Sequence, residues 1–303
     1  MNPKSIINLF SILVLLFSFS FVFPIVISIV FDDGALPIFL KTLISISLLG
    51  LTGLFLTRNI KNDLSQKDGF VIIVMFWIVL SLTGSVPFYL SGMSLIDSVF
   101  ESMSGITTTG ATVISSLDGL PESILFYRQL LQWMGGMGLI VLAIAVMPLL
   151  GIGGGQIYKT EVPGAMGEQR LTPRIKETAQ ALWLIYFGLT AVCGILYYLS
   201  GMTAFDAISH AMSTVAIGGF STHNESIGFF NSISIELICI CFMLLSAFSF
   251  ALHYFAIYKR KPLKYAFDPE FRFFISFLFI ILLLELEYLD LLLLPFLQPC
   301  RSY

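Results

Sequence analysis

Tyr89-Leu90-Ser91-Gly92-Met93 returns 109 residues later as Tyr198-Leu199-Ser200-Gly201-Met202. Holding that shift sets Asp97 on Asp206, Met103 on Met212, Ser104 on Ser213 and Gly110 on Gly219, and 9 of the 22 positions from 89 to 110 are identical without a gap. Repetition at a fixed shift means that one supersecondary unit occurs twice, so a reading of either copy constrains the other. Each copy has the same order: an apolar segment, a short amphipathic piece, a stretch rich in small residues, then another apolar segment.

The composition says where such a unit must sit. Of 303 residues 57% are hydrophobic and 12% charged, with a mean hydropathy of +0.91, which is more apolar material than a soluble domain of this size carries. Crossing about 30 Å of hydrocarbon takes roughly 20 helical residues. Residues 6–31, 70–90 and 179–202 carry no charge, while 35–57, 123–150 and 231–258 carry one each, Lys41, Arg128 and Glu236. The expectation is an all-α integral membrane protein with six spans and a seventh apolar run starting near Phe273. The first run is too long for a signal-peptide core and is followed by Asp32-Asp33-Gly34 instead of a small-residue cleavage site, so it reads as a retained helix.

Orientation comes from the basic residues. Lys4, Arg58, Lys61, Lys67, Lys159, Arg170, Arg174, Lys176, Lys259, Arg260, Lys261, Lys264 and Arg272 fall on one side of this topology, 13 of the 16 Lys and Arg. The positive-inside rule puts that side, and the amino terminus, in the cytoplasm. A net charge of −3 gives no reason to expect nucleic acid as a partner. Membrane lipid is the expected surrounding.

Both short pieces open with a helix-start signal, Ser94-Leu95-Ile96-Asp97 and Thr203-Ala204-Phe205-Asp206, in which hydroxyl and carboxylate are each expected to satisfy free backbone donors of the first turn. The chain enters and leaves each piece from the outer side, so each must dip into the membrane and return. Each piece then runs into a small-residue stretch, Gly105-Ile106-Thr107-Thr108-Thr109-Gly110-Ala111-Thr112 in one copy and Thr214-Val215-Ala216-Ile217-Gly218-Gly219-Phe220-Ser221-Thr222 in the other. Irregular backbone at membrane depth is tolerated only where it is buried in protein or lines a watery path. Extended chain with carbonyls turned inward can replace the hydration of a monovalent cation, glycine at 110 and 219 permits the positive φ that aligns those carbonyls, and a helix ending there turns the negative end of its dipole to the ion. Small residues also let membrane helices pack closely. Recurrence at one position of a repeat, after a capped helix, favours the ion-facing reading.

At these residues the sequence resembles the Trk/Ktr/HKT superfamily of potassium transporters, and within it the TrkH family. The run Phe126-Tyr127-Arg128-Gln129 through Gln132-Trp133-Met134-Gly135-Gly136-Met137-Gly138 matches the helix after the family's first filter, and Leu171-Thr172-Pro173-Arg174-Ile175 and Asp206-Ala207-Ile208-Ser209-His210 fit as well. The resemblance extends from near the amino terminus to about residue 282. It implies repeats of the potassium-channel type, helix, re-entrant pore loop and helix, after two extra helices. The division is then 1–57 for the extra pair, 69–150 for the first repeat with filter 107–112, 179–258 for the second with filter 216–221, and 272–303 for the incomplete start of a third.

What the resemblance implies about function is potassium uptake across the bacterial inner membrane, driven by the membrane potential, with proton symport as an option. Main-chain carbonyls of Thr108, Thr109, Ile217 and Gly218 would touch potassium, with Gly110 and Gly219 as filter glycines. Potassium is the transported ligand and no organic cofactor is expected. The intact family implies a homodimer and a cytosolic NAD- and ATP-binding regulatory ring of the TrkA type, for which the segment 159–176 is the docking candidate. The family would continue to a third and a fourth filter. Here Glu285, Glu287 and Asp290 interrupt the apolar run after Leu284, and the final residues resemble no part of that fold, so the reading is of a shortened or frameshifted product. A fragment that does not conduct, or a membrane partner of the full-length protein, is the competing reading. A carrier holding a small solute between broken helices is a third, but it calls for inverted repeats.

Other features carry less. Gly151-Ile152-Gly153-Gly154-Gly155 lacks the Gly-Lys-Ser/Thr of a nucleotide loop and reads as a flexible helix exit. Cys193, Cys239 and Cys241 read as small buried hydrophobes. His210 aligns with Glu101 and reads as a hydrogen-bonded structural group, though proton coupling would need such a residue. Asp118, Glu122 and Glu225 lie just beyond the filters and could gather cations. His223 and His253 lack metal-ligand spacing, and the sequence offers no nucleophile and base to suggest an enzyme.

Overall fold

The computed structural model describes residues 3–58, 66–141, 174–258 and 260–297, and every regular element among them is helical. The glycine run at 151–155, the basic segment as far as residue 173 and the last six residues lie outside the described residues.

Helix α1 (Pro3–Ser18) continues through a 3₁₀ turn (Phe19–Phe21) into α2 (Val22–Phe31). The tightening sits one turn before Pro24, where the ring removes a backbone donor and crowds the carbonyl four residues back. Helix α3 (Leu36–Thr57) returns antiparallel to α1. The pair closes because Gly50 and Gly53 leave room where any Cβ would stand 2.5 Å from Leu15 Cγ or 2.1 Å from Ser11 Oγ, the small-residue packing of apolar helices.

Helices α4 (Gln66–Gly84) and α5 (Val86–Leu90) lead through a turn at Gly92 into the short α6 (Leu95–Ile106), and α7 (Glu122–Val141) comes after the first loop. The second copy runs α8 (Arg174–Leu199), a turn at Gly201, α9 (Ala204–Val215), the second loop, a 3₁₀ turn (Ser226–Phe230) and α10 (Ile233–Ala247). Gly92 and Gly201 have φ of 104° and 105°, a left-handed backbone that glycine adopts without strain. Helices α11 (Phe250–Ile257), α12 (Lys264–Phe267) and α13 (Pro269–Leu297) complete the described chain.

Two apolar cores meet on α7. In the first, Tyr127 packs at tilted and edge-on angles among Phe21, Phe39 and Phe88, with ring centroids 5.3–5.7 Å away, and its hydroxyl donates to the Gly84 carbonyl at 2.8 Å. In the second, Met137 joins Tyr186, Cys193, Tyr197, Val215 and Phe242. Cys193 is buried as expected, but Cys239 is half-buried and Cys241 exposed.

Two expectations about the spans change. By length and composition, three helical runs among the described residues are apolar enough to cross a membrane, Pro3–Phe31, Leu36–Thr57 and Gln180–Leu199, with Val74–Leu90 and Ile233–Ala247 shorter. The expected span 231–258 is broken: Phe248 and Ser249 take extended ψ values of 150° and 122°. His253 spans the gap, its Nε2 to the Leu245 carbonyl at 2.7 Å and its Nδ1 to the Tyr265 hydroxyl. Neither glycine nor proline marks the place. At the other end, α13 runs unbroken through Glu285, Glu287 and Asp290 to Leu297. Glutamate and leucine are both strong helix formers, so helix outlasts apolarity there.

Candidate functional site

Each short helix is capped as the sequence implies. Asp97 N–H donates to Ser94 Oγ and Asp206 N–H to Thr203 Oγ1, both at 3.1 Å. The carboxylates do something else than expected. Asp97 and Asp206 each accept the cap hydroxyl's own proton through Oδ2, at 2.7 Å.

The far ends are more informative. Thr108 N–H reaches the Gly105 carbonyl and Thr109 N–H the Ser104 carbonyl, at 3.0 and 2.9 Å; Ile217 and Gly218 repeat the pattern on Thr214 and Ser213 at 3.1 and 2.9 Å. This pairing is a Schellman stop, which places a left-handed residue just past the helix. Here that residue is Thr108 (φ 55°) or Ile217 (φ 54°), and two positions on come Gly110 (φ 77°) and Gly219 (φ 82°). The sign of φ thus alternates identically in both loops. Alternating left- and right-handed residues turn successive peptide planes so that their carbonyls face one side. A β-branched residue with positive φ costs on the order of 1–3 kcal/mol and persists only where the surroundings enforce it. Sequence alone points to positive φ at the glycines and not at these two residues.

The two loops abut. A Cβ on Gly110 would lie 2.1 Å from the Gly218 carbonyl oxygen. Ile217 and Gly219 are exposed along their loop, as is Thr109 in the other, whereas Gly218 is buried. Its carbonyl, one of the ion contacts that the resemblance implies, accepts Gln132 Nε2 at 2.7 Å, which engages one of its two lone pairs. Among the described residues no three His, Cys, Asp or Glu side chains converge as a metal site.

Residues 35–299 match the model of the TrkH family, described as a cation transport protein. The chain belongs to that family. The Trk system potassium uptake protein TrkH of Halomonas elongata is 50% identical over 281 residues, 92% of this chain and 58% of that protein. The protein of the same description from Vibrio parahaemolyticus is 50% identical over 91% of this chain and 58% of its own length, and the one from Escherichia coli K12 45% over the same shares. The crystal structure of the potassium transporter TrkH from Vibrio parahaemolyticus superposes with a TM-score of 0.83 at 47% identity, covering 97% of this chain and 60% of that one. The chain therefore spans about three fifths of the length of the curated relatives it matches, and belongs to a family of multi-pass membrane transporters, not of enzymes. The family match reaches residue 299, farther than the 282 to which the motifs extend the resemblance.

In this TrkH-family chain, Arg128 and Gln132 of α7 reach both loops, and sequence reasoning gave these two side chains no role. Arg128 and Glu101 are 1% and 0% exposed and pair at 2.8 Å. Arg128 also donates through Nη1 to the Ser221 carbonyl and through Nη2 to Thr112 Oγ1, both at 3.2 Å, and lies 4.2 Å over the Phe220 ring. Glu101 in turn accepts from Thr112 Oγ1 and Val113 N–H. His210, its counterpart by the repeat, meets Ser221 Oγ at 2.9 Å and the Asp206 carbonyl at 2.9 Å, the structural role expected of it. His223 sits 3.1 Å from Asp206 Oδ1. Asn224 joins the outer ends of the loops, accepting Leu117 N–H at 2.8 Å and donating to Asp118 at 2.6 Å. The paired glycines of α7 let both short helices end against it: a Cβ on Gly135 would stand 1.9 Å from the Ile106 carbonyl oxygen, and one on Gly136 3.3 Å from Ala216.

Proposed function

We propose that this chain forms two walls of a potassium pore in a Trk-type uptake system, and that the loops 107–112 and 216–221 are its filters. The relatives it matches are described as Trk system potassium uptake proteins, and the loops are where this chain gathers main-chain oxygen. Carbonyls of Thr108, Thr109 and Ile217 face the ion, with Gly218 contributing the lone pair that Gln132 leaves free, while Gly110 and Gly219 set their direction. The observation that carries this reading is the contact of Gly110 with the Gly218 carbonyl, which makes one lining of two sequence-related loops. The short helices α6 and α9 are re-entrant pore helices within repeats 69–150 and 179–258, residues 1–57 are the extra pair, 272–303 begin a third repeat, and the amino terminus is cytoplasmic. The membrane potential drives entry, protons are a candidate coupling ion, and the assembled transporter is a homodimer docked on a cytosolic regulatory ring of the TrkA type.

The test is rubidium uptake, with sodium as competitor, in cells stripped of their own potassium uptake. The chain is expressed alone and together with a full-length relative. Uptake, or a change in the relative's ion preference, that Gly110→Ser alters supports the filters. Ion preference untouched by Gly110→Ser in either setting overturns them.

A further inference from the structure

Helix α7 supports the second loop as well as the first, although it comes directly after the first in sequence. Gln132 is fully buried and all of its polar contacts run to the second copy: Nε2 donates to the Gly218 carbonyl at 2.7 Å, and Oε1 accepts Ser213 Oγ at 2.8 Å and Phe220 N–H at 3.1 Å. One amide thus ties the end of α9 to both flanks of Gly219. The fit is tight, since a Cβ on Gly218 would collide with the Gln132 amide at 2.3 Å. The corresponding helix of the second copy, α10, reads ISIELICICFMLLSA and contains no Asn, Gln, Arg or Lys at any register, so it cannot offer the same clamp to another loop.

We infer that Gln132 is a positioning residue for ion preference, holding the Gly218 carbonyl in the direction that the second filter requires and making that filter dependent on the first repeat. The inference rests on the filter reading above. A buried amide that donates to one flank of the loop and accepts from the other fixes the intervening peptide planes. Remove the donor alone and the Gly218 carbonyl can rotate; remove both and Phe220 N–H is left buried without a partner, which is costly.

Hydrogen exchange on the purified chain in detergent, in potassium and in sodium, separates these effects. Gln132→Met keeps the volume and removes both hydrogen-bonding groups. It should speed exchange of the 218–222 amides by about tenfold while leaving 107–113 near the wild-type rate. Gln132→Glu keeps the acceptor for Phe220 and Ser213 but faces Gly218 with a second oxygen. It should leave the Phe220 amide protected and reduce the extra protection that potassium gives over sodium at 217–220, an effect that loss of packing alone would not produce. Equal acceleration of both loops by Gln132→Met, or wild-type ion dependence in Gln132→Glu, overturns the inference. A wild-type chain whose loops ignore the choice of ion counts against the filters instead. In that case the site-selective response of Phe220 to Gln132→Met still decides whether Gln132 positions the loop.

Discussion

At Gly110 a single Cβ is opposed twice. Its left-handed backbone already disfavours a side chain, and the added atom would stand 2.1 Å from the Gly218 carbonyl oxygen, so Gly110→Ser must move the facing loop as well as its own. The expected outcome is about a tenfold loss of preference for rubidium over sodium, read from competitive uptake. Arg128 makes a different prediction. Arg128→Leu leaves the Glu101 carboxylate buried with only Thr112 and Val113 as donors, and stranding one partner of a buried ion pair costs about 3–5 kcal/mol. Removing the charge as well, in Arg128→Leu with Glu101→Gln, should recover a large part of that loss. Denaturation of the detergent-solubilised protein gives both numbers, and a double variant as unstable as the single one would mean that Arg128 contributes packing and loop contacts more than charge pairing.

Between elements, Asp33 ties the turn joining α2 and α3 to the start of α7. Its Oδ2 accepts Ser123 N–H at 2.8 Å, and its Oδ1 accepts Ala35 N–H at 3.0 Å and the Ser28 hydroxyl. Burial pushes this carboxyl up, but the hydrogen bonds from the Ser28 hydroxyl and the Ser123 and Ala35 amides hold the group below its ordinary value. A depressed native pKa adds stability in full above the unfolded value of about 4 and loses it as pH falls through the lower native one. Asp33→Asn should therefore be less stable near neutrality and lose less between about pH 5 and pH 3 than the native chain, as thermal midpoints measured across that range would register. At this scale the sequence was informative where local chemistry decides. Ser94 and Thr203 cap the helices they were expected to cap, because a hydroxyl three residues before a free amide needs no tertiary help. The left-handed Thr108 and Ile217 were hidden, since β-branched residues are the last expected at such a position and only the surrounding contacts hold them there. The break at Phe248–Ser249 was hidden for the opposite reason: its support is His253, five residues farther along, and no breaker residue stands at the gap.

For the molecule as a whole, the repeat revealed that two like units exist but not how they face each other. That arrangement depends on α7, whose Arg128 and Gln132 reach across the boundary to groups more than 80 residues away, a relation that no spacing in the sequence records. The same helix carries adjacent glycines with unequal tasks. Gly135 lets the Ile106 backbone carbonyl approach, where a Cβ would lie at 1.9 Å, and Gly136 faces the Tyr186 hydroxyl at 2.8 Å and Ala216 at 3.3 Å. A backbone carbonyl at the end of α6 cannot move without shifting the first loop, whereas a tyrosine hydroxyl at the tip of a side chain can yield by a few tenths of an ångström. Overpacking costs about 1–3 kcal/mol, so Gly135→Ala should fall at or above the upper end of that range and Gly136→Ala near the lower. Thermal midpoints of the two variants in detergent will rank them. With equal losses, the end of the first short helix could not be seated more closely on α7 than the end of the second, and the shared wall on which both loops depend would have to be drawn differently.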